Sequence, residues 1–393
     1  MKTVVPAAHP PAEGLARALN LALRGAPAVA REAGFPRDWW RHLGEQGLLG
    51  LSFDLDGRGP RADWPAIAWI AGCMARETAS LGLTLGWLLN EMVGRCIVGA
   101  ADTERARALL RRMAAGQAIV GLAVSEPEAG AHPKRLRCAA RREVDGQGER
   151  WLIDGAKSHV SNGPVADAFV VLAVTADDGH RKAFDAFLVE AGTAGLTLRP
   201  AMPAPAEIGQ ASSAVLAPLQ HAGLQFEACA VPASCRLGQG GTAFDRIARP
   251  VRVTEDALLA SAMVGAMYAE LDELARWLRT TQPAPSLVRR LGALRLELHA
   301  LEAVADHAAR RLEVEGPSAG LAEFNAGSRR MFERWQAEFE ALAATLDDLG
   351  DGIASLSRDL RCILGIARSV GELRQLEAGQ RLLNTKESDE VPA

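Results

Sequence analysis

The chain has 393 residues, beyond the about 100–200 of a usual single domain, so two or three packed units are expected. At 48% hydrophobic and 23% charged its composition is that of a soluble globular protein, and no apolar run reaches the roughly 18 residues that span a bilayer. A net charge of −4 leaves no basic footprint for nucleic acid, and Cys73, Cys96, Cys138, Cys229, Cys235 and Cys362 lack C-x-x-C or histidine spacing, which excludes a zinc site and a disulfide framework and predicts a reducing cytoplasm.

Residues 1–14 are proline-rich, without an apolar core, and read as a frayed leader rather than a signal peptide. Over residues 36–118 apolar positions recur at helical spacing, as in Trp39, Leu43 and Leu48 and then Ile67, Ile70 and Met74, interrupted by the loop Asp54-Leu-Asp-Gly-Arg-Gly-Pro60. From residue 119 the texture changes to short β-rich runs, Arg150-Trp-Leu-Ile-Asp154, Ala168-Phe-Val-Val-Leu-Ala-Val174 and Ala186-Phe-Leu-Val189, separated by Gly, Asp, Asn and Pro. After Gly238-Gln-Gly-Gly241, a hinge that lacks the Lys-Ser/Thr of a phosphate loop, residues 255–278, 287–313 and 319–349 predict long amphipathic helices. Arg289-Arg290, Arg310-Arg311 and Arg329-Arg330 lie on those helices and read as solvated faces, with a carrier's phosphopantetheine or a nucleotide phosphate as the alternative partner. The tail, residues 384–393, is polar and reads as disordered. The expected class is α+β: an all-helical unit over 1–118, a β unit over 119–237 and a helical bundle over 238–393.

Two segments carry the most information. Gly121-Leu-Ala-Val-Ser-Glu-Pro-Glu-Ala-Gly130 resembles the T-E-P-x-A-G-S-D signature of acyl-CoA dehydrogenases. The segment from Gly146 to Asp167, which contains Asp154-Gly-Ala-Lys-Ser-His-Val-Ser-Asn-Gly163, resembles their N-G-x-K-x-W-I-T-N-G-x-x-A-D stretch at the matching separation. Phe35 to Gly50 and Leu109 to Gly116 resemble the family's opening helix and its approach to the sheet, so the resemblance covers roughly residues 35–275. It implies the family's architecture: N-terminal helices, a small middle β-barrel or sheet domain, and a C-terminal four-helix bundle that packs into homodimers or homotetramers.

The resemblance also implies FAD. Leu122, Ala123, Val124 and Ser125, with His159, Val160 and Ser161, would line the flavin, and Gly130 and Ala131 would lie near its pyrophosphate. Here Ala131-His132 replaces the signature's Ser-Asp, and His159 stands where the ring-stacking Trp is expected. Taken singly, Ser125 and Ser161 read as ordinary strand and turn hydroxyls, and His159 equally as a satisfied half-buried histidine. No metal site is expected.

The reaction implied removes an α-proton to a carboxylate while a β-hydride leaves for the flavin. The usual C-terminal position of the base, about eight residues after Arg358-Asp359, holds Ala367 or Arg368. A minority of the family carries the Glu ten residues before a Gly on the first helix of the C-terminal domain, and counting back from Gly265 gives Glu255. Leu258, Leu259, Ala262, Met263 and Ala266 follow it at helical spacing, which would place Glu255 on an apolar stripe. The competing reading makes Thr254 an N-cap and Glu255-Asp256 first-turn acids. Further departures are Thr281-Gln-Pro-Ala-Pro285 in place of the R-x-x-F-G turn and Leu349-Gly-Asp-Gly-Ile353 in place of Gly-Gly-x-Gly-Tyr.

The leading expectation is an FAD-dependent dehydrogenase-like oxidoreductase of an acyl-CoA or acyl carrier protein thioester, in a specialised or secondary-metabolite pathway, passing electrons to an electron-transfer flavoprotein or oxygen. Two alternatives remain: a flavin monooxygenase on the same scaffold, and a catalytically silent subunit that pairs with an active homologue.

Overall fold

The structure, a computed structural model, describes residues 13–25, 34–55, 57–100, 104–146, 148–200, 215–238, 240–346, 349–366 and 368–384. Residues 1–12 of the expected leader, the tail beyond 384 and Ala367 lie outside the described residues; Glu13 and Gly14, read with the leader, open a helix, and Asn384, read with the tail, ends one. Helices come first: α1 (Glu13–Ala22), α2 (Arg37–Glu45), α3 (Trp64–Thr78), α4 (Leu81–Ala100) and α5 (Glu104–Ala114). Strands follow: β1 (Val120–Ala123), β2 (Ala139–Asp145), β3 (Gly148–Ser161), β4 (Ala168–Asp177), β5 (Lys182–Glu190), β6 (Leu196–Pro200), β7 (His221–Pro232) and β8 (Arg236–Leu237). The remainder is helical: α6 (Arg249–Leu278), α7 (Pro285–Glu315), α8 (Ala319–Ala343), α9 (Asp351–Gly365) and α10 (Arg368–Asn384). The order of helices, sheet and helices is the one expected from the sequence.

The helix ends follow local chemistry. Asp63 caps α3 by accepting from the Ala66 N–H at 2.9 Å, and Pro65 occupies the first turn. Ser318 caps α8 by accepting from the Leu321 N–H at 3.0 Å. Helix α6 departs from expectation: it begins at Arg249, with Pro250 in its first turn, so Thr254 is no N-cap and Glu255 lies more than one turn inside. Nor does α6 carry a single apolar stripe. Leu258, Ala262 and Ala266 are buried as expected, and so are Val264, Gly265, Met267 and Tyr268 on its other faces, because α6 is wrapped by neighbouring helices. The closest approach is to α3, where a Cβ on Gly265 would lie 2.1 Å from the Gly72 carbonyl oxygen. Only a glycine there lets the two backbones touch.

The sheet order is β6-β7-β3-β2-β4-β5-β8, and β1 pairs in parallel with β4, Leu122 opposite Val170. The continuous apolar run of β4 is covered on both faces. Ala168, Val170, Leu172 and Val174 pack into a core shared with Leu109, Leu110 and Met113 of α5, whereas Phe169, Val171 and Ala173 face a second core with Phe226 and Val231 of β7. The Gly238–Gly241 hinge is anchored, with the Gly241 N–H donating to Asp185 at 3.0 Å.

Inside the C-terminal helices Glu270 is fully buried. One carboxylate oxygen accepts from Gln336 Nε2 at 3.1 Å and from Ser357 Oγ; the other, and Gln336 Oε1, have no partner among the described residues. Burial raises its carboxyl to about 8, against the Ser357 and Gln336 hydrogen bonds. The folded state therefore keeps a proton that the unfolded chain releases above about pH 4.3, so this group's stability is full below that pH and is lost as pH rises toward 8. Urea denaturation is expected to show wild type weakening between about pH 5 and 8 by at most about 1.4 kcal/mol per unit relative to Glu270→Gln. Parallel curves for the two proteins would refute a buried proton.

Candidate active site

The two motif segments are clamped together by a buried ion pair. Lys157 Nζ donates to the Val124 carbonyl at 3.1 Å and to the Glu126 carboxylate at 2.9 Å, with 1% and 7% of the Lys157 and Glu126 side chains exposed. Glu126 also accepts from the Arg137 and Cys138 N–H groups at 2.6 and 2.9 Å, and the Ser158 N–H donates to the Ser125 carbonyl at 2.8 Å. Two charges stripped of water are thus matched by each other and by backbone dipoles. The Glu126 and Gly130 backbones pair reciprocally at 2.9 and 3.0 Å, closing a tight turn with Glu128 and Gly130 in the left-handed region. Asp167 accepts from the Ile119 N–H at 2.9 Å, fixing the entry to β1.

This clamp places the residues expected to hold a cofactor. Ala123 and Val160 are buried in the sheet; Leu122, Val124, Ser125 and Ser161 are half-buried; Gly130, Ala131 and His159 are exposed. Among the described residues the Ser125 and Ser161 hydroxyls make no hydrogen bond. His159 takes φ +53° where the pairing of β3 with β7 shifts register between Lys157 and Val160. Half-buried apolar side chains beside two unpartnered hydroxyls fit a flat heteroaromatic ring with a hydrogen-bonding edge, so these residues suit a flavin.

Two neighbours escaped the sequence reading. His221 stands opposite Ser161, and burial together with nearby His159 holds its imidazole down to about 4, so it is neutral at pH 7. Asn162, at φ +58°, is buried with an unpartnered Oδ1 beside Gly86 of α4. Asn162 lay within the quoted motif; His221 became visible only through the cross-strand register.

Glu255 is placed by α6. Val251, four residues earlier and so on the same face, packs against the apolar cluster that Leu122 and Val124 also contact. The Glu255 side chain is 23% exposed, and burial raises its carboxyl above the usual range, opposed by Arg252. Arg252 donates to Glu255 at 3.3 Å and to Asp256 at 2.6 Å. Asp359, of the expected Arg-Asp pair, instead accepts from the Leu216 N–H at 2.8 Å, and burial lifts it to about 6. A cavity of about 420 Å³ lies elsewhere, between α1, α3, α6 and α7, lined by Trp69, Cys73, Val264, Tyr268 and Glu302 on another face of α6.

Comparison with known proteins matches residues 20–117 to the acyl-CoA dehydrogenase N-terminal domain and residues 121–216 to the acyl-CoA dehydrogenase middle domain. The chain is similar to the L-prolyl-[peptidyl-carrier protein] dehydrogenase of Pseudomonas fluorescens, 30% identical over 234 residues, which are 58% of this chain and 57% of that protein. The match thus spans little more than half of that relative's length. In fold the chain is similar to butyryl-CoA dehydrogenase from Megasphaera elsdenii (TM-score 0.77, 18% identity, covering 96% of this chain and 100% of that one). It is also similar to the FAD complex of PigA (TM-score 0.76, 18% identity, 95% and 100% covered).

Proposed function

Because the chain belongs to the acyl-CoA dehydrogenase family, we propose that it is an FAD-dependent oxidoreductase that removes an α-proton and a β-hydride from an acyl thioester. The observation that carries this reading is the clamp that joins the two motif segments, the buried Lys157–Glu126 ion pair and the Ser158–Ser125 backbone bond, which sets the half-buried Leu122, Val124, Ser125 and Ser161 side by side. FAD, when bound, supplies the hydride acceptor. Leu122, Val124 and the Ser125 and Ser161 hydroxyls would hold its ring system, with exposed His159, Gly130 and Ala131 bordering it. Glu255 would take the proton from the α-carbon, and its half-buried setting, which disfavours the charged form, strengthens it as a base.

The relative named for a prolyl group on a peptidyl carrier protein supports a carrier-bound aminoacyl or acyl thioester, beside coenzyme A esters, as the first substrates to test. It also supports a place in a specialised pathway rather than bulk fatty-acid breakdown. The electron acceptor in this reading is an electron-transfer flavoprotein or oxygen. Homodimers or homotetramers are supported by apolar side chains left outward on α7, where Val288 is 52% and Leu296 75% exposed. Six free cysteines support a cytoplasmic setting. No helix among the described residues is long and apolar enough to cross a membrane.

The test is the visible spectrum of the purified protein with added FAD, before and after anaerobic mixing with carrier-bound and coenzyme A thioesters. A flavin band that bleaches with one of them is the expected result. A protein that binds no flavin at any concentration would overturn the reading and point to a silent partner subunit, and flavin reduced by another donor that then reacts with oxygen on a substrate would point to a monooxygenase.

A further inference from the structure

Glu255 sits within a cluster of four charged side chains, with Arg252, Asp256 and Arg329. Arg252, one turn earlier on α6, reaches both Glu255 and Asp256, and its bond to Asp256 is shorter, 2.6 Å against 3.3 Å. Arg329 of α8 lies 3.6 Å from the same Asp256 oxygen. Arg329 also donates to the Ile363 and Leu364 carbonyls at the C-terminal end of α9, which ties its guanidinium to that helix end. Asn325 of α8 donates to the Val253 carbonyl at 3.2 Å and pins this turn of α6 to α8. The charged groups that act on Glu255 are Arg252 and Asp256 from its own helix and Arg329 from α8; Glu333 of α8 acts on Arg329 in turn. None from α3, α4 or α9 is among them in the described residues.

A carboxylate gripped by a guanidinium is a poor proton acceptor, because the short charge-assisted bond is lost when the proton arrives. Arg252 lies within reach of Glu255, and the positive charge of Arg329 also favours its charged form. We infer that Asp256 is a positioning residue for Glu255: by taking the short bond of Arg252 and balancing the charge of Arg329, it draws the Arg252 guanidinium aside and leaves Glu255, among the described residues, a single long contact and one carboxylate oxygen without a hydrogen bond. Asp256 also repels the charged form of Glu255 directly, so its two effects act in the same direction. The inference rests on Glu255 being the base, and the experiment reads the two claims separately.

The readout is the ionisation midpoint of Glu255, followed through the carboxyl carbon signal of protein labelled with ¹³C at the glutamate side chain and assigned by its disappearance in Glu255→Gln. It needs neither flavin nor substrate. Asp256→Asn releases Arg252 toward Glu255 and removes the repulsion of Asp256, and is expected to lower the midpoint by about one pH unit. Arg252→Gln removes the one direct donor and is expected to raise it by about as much, while Asp256→Glu, which keeps the charge, stays within about 0.3 of wild type. A structural role alone would not drive the first two variants in opposite directions. Movement in the same direction, or no movement in either, overturns the positioning role. If the midpoints move as expected but Glu255→Gln still bleaches at the wild-type rate, the base assignment falls and the catalytic part of the inference falls with it. Should Asp256→Asn not fold, a raised midpoint in Arg252→Gln with Asp256→Glu within about 0.3 of wild type supports the role, and an unmoved Arg252→Gln overturns it.

Discussion

Glu255→Gln is expected to leave the bound-flavin spectrum intact while slowing thioester-driven bleaching by about 100- to 10,000-fold, the usual contribution of a positioned general base. The amide is nearly isosteric with the carboxylate, and Arg252 keeps its 2.6 Å bond to Asp256, so α6 should stay in place. What is lost is the ability to accept a proton. Stopped-flow absorbance on a thioester that bleaches the parent protein gives the rate, and circular dichroism checks the fold. Bleaching at the parent rate would move the base elsewhere. A protein that no longer binds flavin would instead mean that Glu255 supports the cofactor pocket rather than the chemistry.

Lys157→Met should destabilise the protein by about 3–5 kcal/mol, since it leaves the Glu126 carboxylate buried without its counter-charge. The remaining Arg137 and Cys138 N–H donors satisfy that carboxylate only in part. The Val124 carbonyl loses a donor in the same step, which loosens the strand end bearing Ser125, so retained flavin should fall along with stability. Adding Glu126→Gln removes the stranded charge and should recover part of the loss, a coupling that urea denaturation of the four proteins of the double-mutant cycle would measure. A loss below about 1 kcal/mol for Lys157→Met would indicate that water reaches the pair.

These two sites differ in how they could be read. Glu126, Lys157 and Asp167 lie inside the two motif segments, but their partners, 31 residues apart for the ion pair and 48 for Asp167 and Ile119, were decided by the fold. Glu255 was reached by counting from Gly265, the point where α6 touches Gly72 of α3. The competing expectation of a helix starting at Thr254 fails for a physical reason. Ile247 and Val251 find apolar partners in the core beneath β1 and β4, and that burial extends the helical chain backward past the capping residue.

By itself the sequence determined the order of helices, sheet and helices, the pairing of the two motif segments, and the family, because these are carried by periodicity and by residues close together along the chain. Tertiary structure alone decided that the middle of α6, residues 257–271, is buried on nearly every face, that His221 stands opposite Ser161, that Arg329 faces Asp256, and that Glu270 meets Gln336 and Ser357 across 66 and 87 residues of chain. Desolvation and charge pairing depend on which surfaces come together, and contacts between residues so far apart leave no periodic trace in the chain.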